Sequence, residues 1–319
     1  MIARPFTPAD AERWDDLVER APMATFLHTR RFLSYHGDRL RDESLLIGDE
    51  RGEARALLPA AGDPGSPDRV VSHPGATFGG LVHEGLHAEA VREALAAAAS
   101  HYAERGHTSI RYRPVPHIYH RSPSADDVWA LCDLGARRVA TGLSCAIDLA
   151  ARGEPSQRRT RSLGKARRAG VEVVSGTAPA DYWPLLEETL ERRHRTRPVH
   201  SLAEIETLRE RFPDAIRLVT GQLGGELVAG AVLFLSPRVV HVQYMAASEA
   251  GMRVSALDAV VERCIDVAAE AGARFFDLGT SMRDRGAELQ SGLHRFKAEF
   301  GGGGVIYETY ELDLEGMRT

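Results

Sequence analysis

Gly48-Asp-Glu-Arg-Gly52-Glu53-Ala-Arg-Ala56 and Gly221-Gln-Leu-Gly-Gly225-Glu226-Leu-Val-Ala229 share the pattern G-x-x-x-G-E-x-x-A, 173 residues apart, each flanked by apolar strand formers. Glycine between two β-prone runs signals a hairpin turn, because glycine adopts left-handed backbone conformations without steric strain. Two further pairs follow in the same order at nearly the same offset. Thr7-Pro-Ala-Asp10, then Trp14 and Leu17, corresponds to Ala178-Pro-Ala-Asp181, then Trp183 and Leu186, 171 residues later at the Pro-Ala-Asp. Ala103-Glu-Arg-Gly106 corresponds to Ala269-Glu-Ala-Gly272 at 166 residues. Each string alone is common; three in register point to a duplicated domain.

A chain of 319 residues is long for one core and natural for two. Its hydrophobic and charged shares, 43% and 27%, are those of a soluble globular protein, and no apolar run reaches the length of a membrane span. The start, Met1-Ile-Ala-Arg-Pro-Phe-Thr7, lacks the apolar core of a secretory signal, so a cytoplasmic location is expected. Cys132, Cys145 and Cys264 show no C-x-x-C spacing, which argues against a disulfide framework and a zinc site; all three read as small apolar residues.

The order of signals repeats as well. A capped amphipathic helix comes first, with Thr7 or Asp10 as cap in one half and Asp181 in the other. A hairpin follows, Ser44 to Pro59 and Ile216 to Leu235, then a further strand, Val70 to Val82 with breaks and Val239 to Met245. An alanine-rich helix, His87 to Glu104 or Ser255 to Glu270, ends at glycine and feeds a strand, Ser109 to Arg113 or Arg274 to Leu278. A shorter helix leads to a last strand, Thr141 to Asp148 or Val305 to Leu312. The expected class is α+β, two mixed sheets with packed helices: residues 1–150, a basic connecting helix and strand over 151–177, and residues 178–319.

This order resembles the fold of GNAT acyltransferases, and two such domains in one chain resemble the Fem family of peptidyltransferases and related tandem-GNAT proteins. Arg161-Ser-Leu-Gly-Lys165-Ala-Arg-Arg-Ala-Gly-Val-Glu-Val173 is similar to that family's basic helix running into a Gly-Val-x-Val strand. Phe296-Lys297-Ala-Glu-Phe300-Gly301, after Asp277-Leu-Gly279, is similar to its F-K-x-x-F-G signature. Thr25-Phe-Leu-His28 and Thr77-Phe-Gly-Gly80 look like its first-domain loops. GNAT enzymes that use acyl-CoA usually carry a Q/R-x-x-G-x-G/A loop whose backbone N–H groups bind pyrophosphate. Here the corresponding stretch, Ala247-Ser-Glu-Ala-Gly251-Met-Arg253-Val-Ser255-Ala256, has one glycine and the repelling charge of Glu249, and Val82-His-Glu-Gly85-Leu-His87 is no closer. In the Fem family the same departure accompanies a different acyl donor, aminoacyl-tRNA.

Candidate chemistry concentrates in the second half. Leu289, Leu293, Phe296 and Phe300 recur at helical spacing, with Gln290, His294 and Lys297 along one edge of the stripe. An ammonium flanked by Phe296 and Phe300 is partly desolvated and suited to stabilise an oxyanion. The resemblance implies that role for Lys297; without it, the residue reads as a lysine favoured near a helix C-terminus. Asp277 ends a strand before the loop Gly279-Thr280-Ser281, where it is placed either to accept the proton of an incoming amine or to cap the turn. His241 and Gln243 share one strand face, opposite Tyr244, where a lone histidine ordinarily packs. Tyr244, Ser281, His294 and Phe296 are the candidate substrate contacts of this half.

In the first half, Phe26 to His36 reads as a helix bringing His28, Arg31 and Tyr35 to related faces. His73, His117 and Tyr119 lie in proline-bounded segments after strands. These side chains suit hydrogen bonding to a sugar or nucleotide, or equally interdomain packing. No H-x-x-x-H spacing on a helix is present, so no metal site is expected. Although the net charge is −5, Arg158, Arg159, Arg161, Lys165, Arg167 and Arg168 form one basic cluster, and Arg192, Arg193, Arg195 and Arg197 another. Such fields suit tRNA phosphates or simply solvated helix faces. Arg161, Lys165, Arg167, Arg168 and Arg253 are the candidate donor contacts.

The expected function is amide formation by transfer of an aminoacyl group from aminoacyl-tRNA to an amine on a small or nucleotide-linked acceptor. No tightly bound cofactor and no membrane insertion are expected, and a monomer suffices. The alternatives are an acyl-CoA-dependent N-acyltransferase and a non-catalytic tandem binding module.

Overall fold

The computed structural model describes residues 1–49, 51–283 and 287–317. The chain forms two compact units. The first runs β1 (Ile2–Pro5), α1 (Ala11–Arg20), α2 (Arg30–Leu33), β2 (Leu45–Gly48), β3 (Ala54–Leu58), β4 (Ala61–Asp63), β5 (Ser66–Val71), β6 (Val82–His83), α3 (Ala88–Glu104), β7 (Ser109–Tyr112), α4 (Asp126–Asp133) and the start of β8 (Arg137–Asp148). The second takes the end of β8, then α5 (Gln157–Arg168), β9 (Val171–Ser175), α6 (Pro179–His194), α7 (Leu202–Arg211), β10 (Ile216–Leu223), β11 (Glu226–Leu235), β12 (Val239–Ala247), α8 (Glu249–Arg253) and α9 (Ala256–Glu270). It continues through β13 (Phe275–Thr280), the short pair β14 (Met282–Arg283) and β15 (Glu288–Leu289), α10 (Ser291–Ala298) and the start of β16 (Gly303–Asp313).

Strand, two helices, hairpin, strand, long helix, strand, short helix, strand: this order occurs twice, as tandem GNAT-like domains related by duplication. Both repeated turns are hairpins, β2 to β3 and β10 to β11, and Gly52, Gly224 and Gly225 all have positive φ.

The units depart from a simple cut of the chain. Tyr310–Asp313 of β16 pair antiparallel with Ser109–Tyr112 of β7 inside the first unit, whereas Ala146–Asp148 of β8 pair with Phe275–Asp277 of β13 inside the second. Each half's closing strand therefore ends in the other half's unit. The expected divisions at 150 and 178 move accordingly, and α5 with β9 belong to the second unit. A contiguous repeat in the sequence carries no mark of this exchange.

In the first unit, α3 packs Val91, Ala94, Leu95, Ala98 and Tyr102 into a core closed by Tyr310 and Leu312. In the second, α9 buries Val260, Val261, Cys264 and Ile265 against the sheet, while α6 covers β11 and β12 with Tyr182 and Trp183. Cys145 and Cys264 are buried as expected, whereas Cys132 is exposed. Among the described residues no helix is long and apolar enough to cross a membrane.

Local expectations are corrected at three places. Residues 26–39 are not one helix but a 3₁₀ turn, α2 and a second 3₁₀ segment broken at Gly37, so His28, Arg31 and Tyr35 share no helix face. The side chain of Thr25 accepts from Leu27 N and that of Thr29 from Phe32 N, and each cap restarts the chain direction. Asp181 lies in the first turn of α6, whose cap is Ala178. Finally, α10 begins only at Ser291: Leu289 is in β15 and Gln290 precedes the helix, so the apolar stripe is shorter than its spacing suggests.

Candidate active site

In the second unit β12 and β13 are parallel neighbours joined by three rungs, Val239 to Phe275, Val240 to Phe276 and His241 to Asp277. No rung follows, and β13 continues instead beside β8 at Ser144. Two parallel strands that part at their carboxyl ends leave the crevice in which α/β sheets place their ligands. Beside it, β12 carries one residue too many against β11, since Val232 faces Tyr244 and Leu233 faces Val242. Gln243 is the bulged residue, and the bulge brings Tyr244 to the face of His241 rather than opposite it, since their cross-strand partners Val232 and Phe234 lie two residues apart on β11.

The last rung carries the polar groups. Asp277 is completely buried; its Oδ1 accepts from Ser144 Oγ at 2.5 Å and from Gly279 N at 3.0 Å, and its Oδ2 lies 2.9 Å from His241 Nδ1. A carboxylate so enclosed does not meet an incoming amine, which corrects the role of proton acceptor expected for it. His241 is 12% exposed, and its Nε2 has no hydrogen-bond partner among the described residues.

Lys297 enters from α10. It is 2% exposed, and its Nζ donates to the carbonyl of Gly279 at 2.9 Å and to that of Thr280 at 2.6 Å. Burial lowers its pKa to about 8, with Asp277 and then Cys145 opposing the shift. Phe300 is fully buried behind it and stacks edge-on with Phe296. The desolvated ammonium expected from the sequence is therefore present, held by the loop that follows Asp277.

The remaining candidates divide. Ser281, beside this loop, is fully buried, and its Oγ has no partner among the described residues. His294 lies on α10 with a buried Nδ1 that likewise has no partner among the described residues. Phe296 carries the Arg159 guanidinium 4.7 Å from its ring centre. Tyr244 is engaged elsewhere: its hydroxyl accepts from His200 N at 3.2 Å and contacts His200 Nδ1 at 2.7 Å, anchoring the connection between α6 and α7.

Among the first-unit candidates, His28 and Tyr119 share Phe78 as a ring neighbour, and Tyr35 and His73 share His36. His28 is 1% exposed, with Nδ1 accepting from Thr25 N at 3.0 Å and Nε2 contacting Gly79 O at 2.9 Å, so it fastens two loops. His73 is buried at φ +60, its ring 4.9 Å from that of His36, and desolvation followed by neighbouring His36 lowers its pKa to about 3. Tyr119 is buried against Phe78, and its hydroxyl accepts from Tyr307 at 3.3 Å. Tyr35 stacks on Phe32 and His36, while Arg31 and His117 are exposed.

Of the basic cluster on α5, Arg161, Lys165, Arg167 and Arg168 are exposed. Arg159 is not part of that face. It is 3% exposed and paired with Asp258 of α9 at 2.5 Å and with Glu299 at 3.2 Å, so it ties three elements together. In the second cluster, Arg192 is paired with Glu249 at 2.9 Å.

The stretch matching a pyrophosphate loop forms α8, capped by Ser248, whose Oγ accepts from Gly251 N at 3.1 Å. The N–H groups of Met252, Val254, Ser255 and Asp258 are all spent on nearby carbonyls. A Cβ at position 251 would lie 2.2 Å from the Val228 carbonyl, so this glycine serves the packing of α8 on β11. Asp258 places a carboxylate in the first turn of α9. Arg253 is exposed at the end of α8. Among the described residues no group of three His, Cys, Asp or Glu side chains is placed to hold a metal ion.

Comparison with known proteins agrees with this architecture. Residues 156–297 match the family model described as an acetyltransferase (GNAT) domain. The crystal structure of FemX superposes with a TM-score of 0.71 at 14% identity, covering 97% of each chain. The structure of L-PGS from Bacillus licheniformis gives 0.63 at 15% identity over 97% of this chain and 93% of that one. A tandem GNAT protein from the clavulanic acid biosynthesis pathway gives 0.54 at 12% identity over 98% of both. The chain thus has a tandem GNAT fold similar to that of FemX. No curated protein matches the sequence.

Proposed function

We propose that this protein is an amide-forming acyltransferase that moves an aminoacyl group from the ester of aminoacyl-tRNA to an amine on a small or nucleotide-linked acceptor. The observation that carries the reading is the buried Lys297 ammonium beside the parting of β12 and β13. An ammonium has three N–H groups, and two are committed to the carbonyls of Gly279 and Thr280. These bonds fix the third in direction, as oxyanion stabilisation requires of a preorganised donor. With the acyl ester and the amine held in the crevice, the amine attacks directly and no covalent enzyme intermediate is needed.

Two observations favour aminoacyl-tRNA over acyl-CoA. The segment expected to bind pyrophosphate is a helical turn in which the N–H groups of Gly251, Met252, Val254 and Ser255 have internal acceptors, next to the carboxylates of Glu249 and Asp258. The exposed face of α5 offers Arg161, Lys165, Arg167 and Arg168 to a polyanion. The F-K-x-x-F-G resemblance implies the same donor.

The test incubates the protein with a panel of free and UDP-linked amines and either pooled aminoacyl-tRNA or acetyl-CoA, with products read by mass spectrometry. Aminoacylated products with charged tRNA alone are expected. Acetylated products would replace the donor by acyl-CoA, and inertness with both would leave a binding module.

A further inference from the structure

His241 stands beside Asp277 on the last rung before β12 and β13 part. Asp277 receives hydrogen bonds from Ser144 Oγ and Gly279 N on one oxygen, so its other oxygen is the acceptor for His241 Nδ1. A carboxylate oxygen cannot donate, and Nδ1 must therefore carry the proton of the neutral ring. Nε2 then bears the lone pair, and it has no partner among the described residues. Gly279 joins this arrangement to Lys297: its N–H serves Asp277 and its carbonyl receives the ammonium. A Cβ at Gly279 would lie 3.4 Å from His241 Cε1, so the imidazole sits beside the loop that holds the ammonium with room for glycine there.

We infer that His241 is the general base of the acyl transfer and that Asp277 is its positioning residue, fixing the tautomer that leaves Nε2 able to take a proton. The assignment rests on the acyl-transfer reading and adds to it the fate of the amine proton. As the amine nitrogen bonds to the acyl carbon, the carbonyl electron pair moves to oxygen, which Lys297 stabilises, and the N–H proton passes to His241 Nε2. When the intermediate collapses, the ester C–O bond breaks and the same proton goes to the departing oxygen. Amide and alcohol form, and the imidazole is neutral again. One histidine serving as base and then as acid is the pattern a carboxylate-held imidazole supports.

The experiment uses the full chain with pooled aminoacyl-tRNA and the amine panel above. His241→Ala should lower kcat by about 10²- to 10⁴-fold with little change in KM. Added imidazole should restore part of that rate in His241→Ala and none in Lys297→Ala. Asp277→Asn should lower kcat by about tenfold or more in the wild-type background and add nothing in the His241→Ala background, because it acts through the imidazole. Ser144→Ala, which removes one donor to Asp277, is the milder second variant and should show the same non-additivity. Thermal melts separate misfolding from lost chemistry. A folded His241→Ala protein with wild-type turnover would overturn the base while the acyl-transfer reading stands. Equal losses from Asp277→Asn in both backgrounds would reduce that residue to a structural one and overturn its positioning role. A wild-type protein that transfers nothing would overturn the reading itself, and this assignment with it.

Discussion

Lys297 and Asp277 are tied to opposite ends of one peptide residue: the ammonium of Lys297 donates to the Gly279 carbonyl at 2.9 Å, and the Gly279 N–H donates to Asp277 at 3.0 Å. Gly279 has φ +76, and a Cβ there would sit 3.3 Å from the Val242 carbonyl as well as against His241. Gly279→Ala should therefore cost about 1–3 kcal/mol in stability from backbone strain. It should also lower kcat by more than any other alanine substitution in the loop, because cation and imidazole are displaced together. Chemical denaturation and steady-state kinetics on one preparation check both effects, and a neutral substitution would show that the loop is not the common support.

Lys297→Ala should lower kcat by about 10²- to 10³-fold with little effect on KM, as for loss of one oxyanion donor. The pH dependence gives a second check. Because the ammonium loses its proton at about pH 8, wild-type turnover should fall as pH rises through 8. Stability should move the other way. The folded pKa is depressed below the ordinary 10.5, so between about 8 and 10.5 the unfolded chain binds more protons and the contribution of Lys297 to stability rises with pH. Below 8 the cost of burying the charge is felt in full. Rate and melting temperature measured across pH 7–10.5 for wild type and Lys297→Met would show whether both trends vanish with the lysine.

Two kinds of arginine on α5 should separate cleanly. Arg159→Ala should destabilise by about 3–5 kcal/mol, since it leaves the buried Asp258 without its paired cation and Glu299 with only Arg158 at 4.0 Å. Replacing Lys165, Arg167 and Arg168 together with alanine should leave stability nearly unchanged, weaken binding of charged tRNA and flatten its salt dependence. Filter binding between 50 and 200 mM salt, beside thermal melts, reads both; an unchanged salt slope would leave only a solvated helix face.

The duplication, the hairpins and the order of elements were legible because glycine turns and apolar periodicity are local properties. The burial of Lys297 was legible for the same reason, since Phe296 on its own helix and Phe300 just past the helix end flank it in sequence. His241 was not. Its position on a strand looks like ordinary packing, and its meaning depends on Asp277, 36 residues on, and Ser144, 97 residues back, which only sheet register brings together. Arg159 was read as one more positive charge because its partners, Asp258 and Glu299, come from α9 and the end of α10. In the first unit, the bond of His28 to Gly79 and the packing of His73 beside His36 likewise depend on distant segments and leave no mark in the local sequence.

The exchange of closing strands bears on how the chain acquires its structure. Ser109–Tyr112 cannot find their partners at Tyr310–Asp313 until some 200 further residues have been made. During synthesis the first unit must wait with an open sheet edge, a state prone to mispairing. Such distant pairings also slow folding, because the intervening loop must close before the contact repays it. A gene cut near residue 150 would therefore yield two fragments that each lack a strand their own sheet pairs with, and activity should return only when both are produced together.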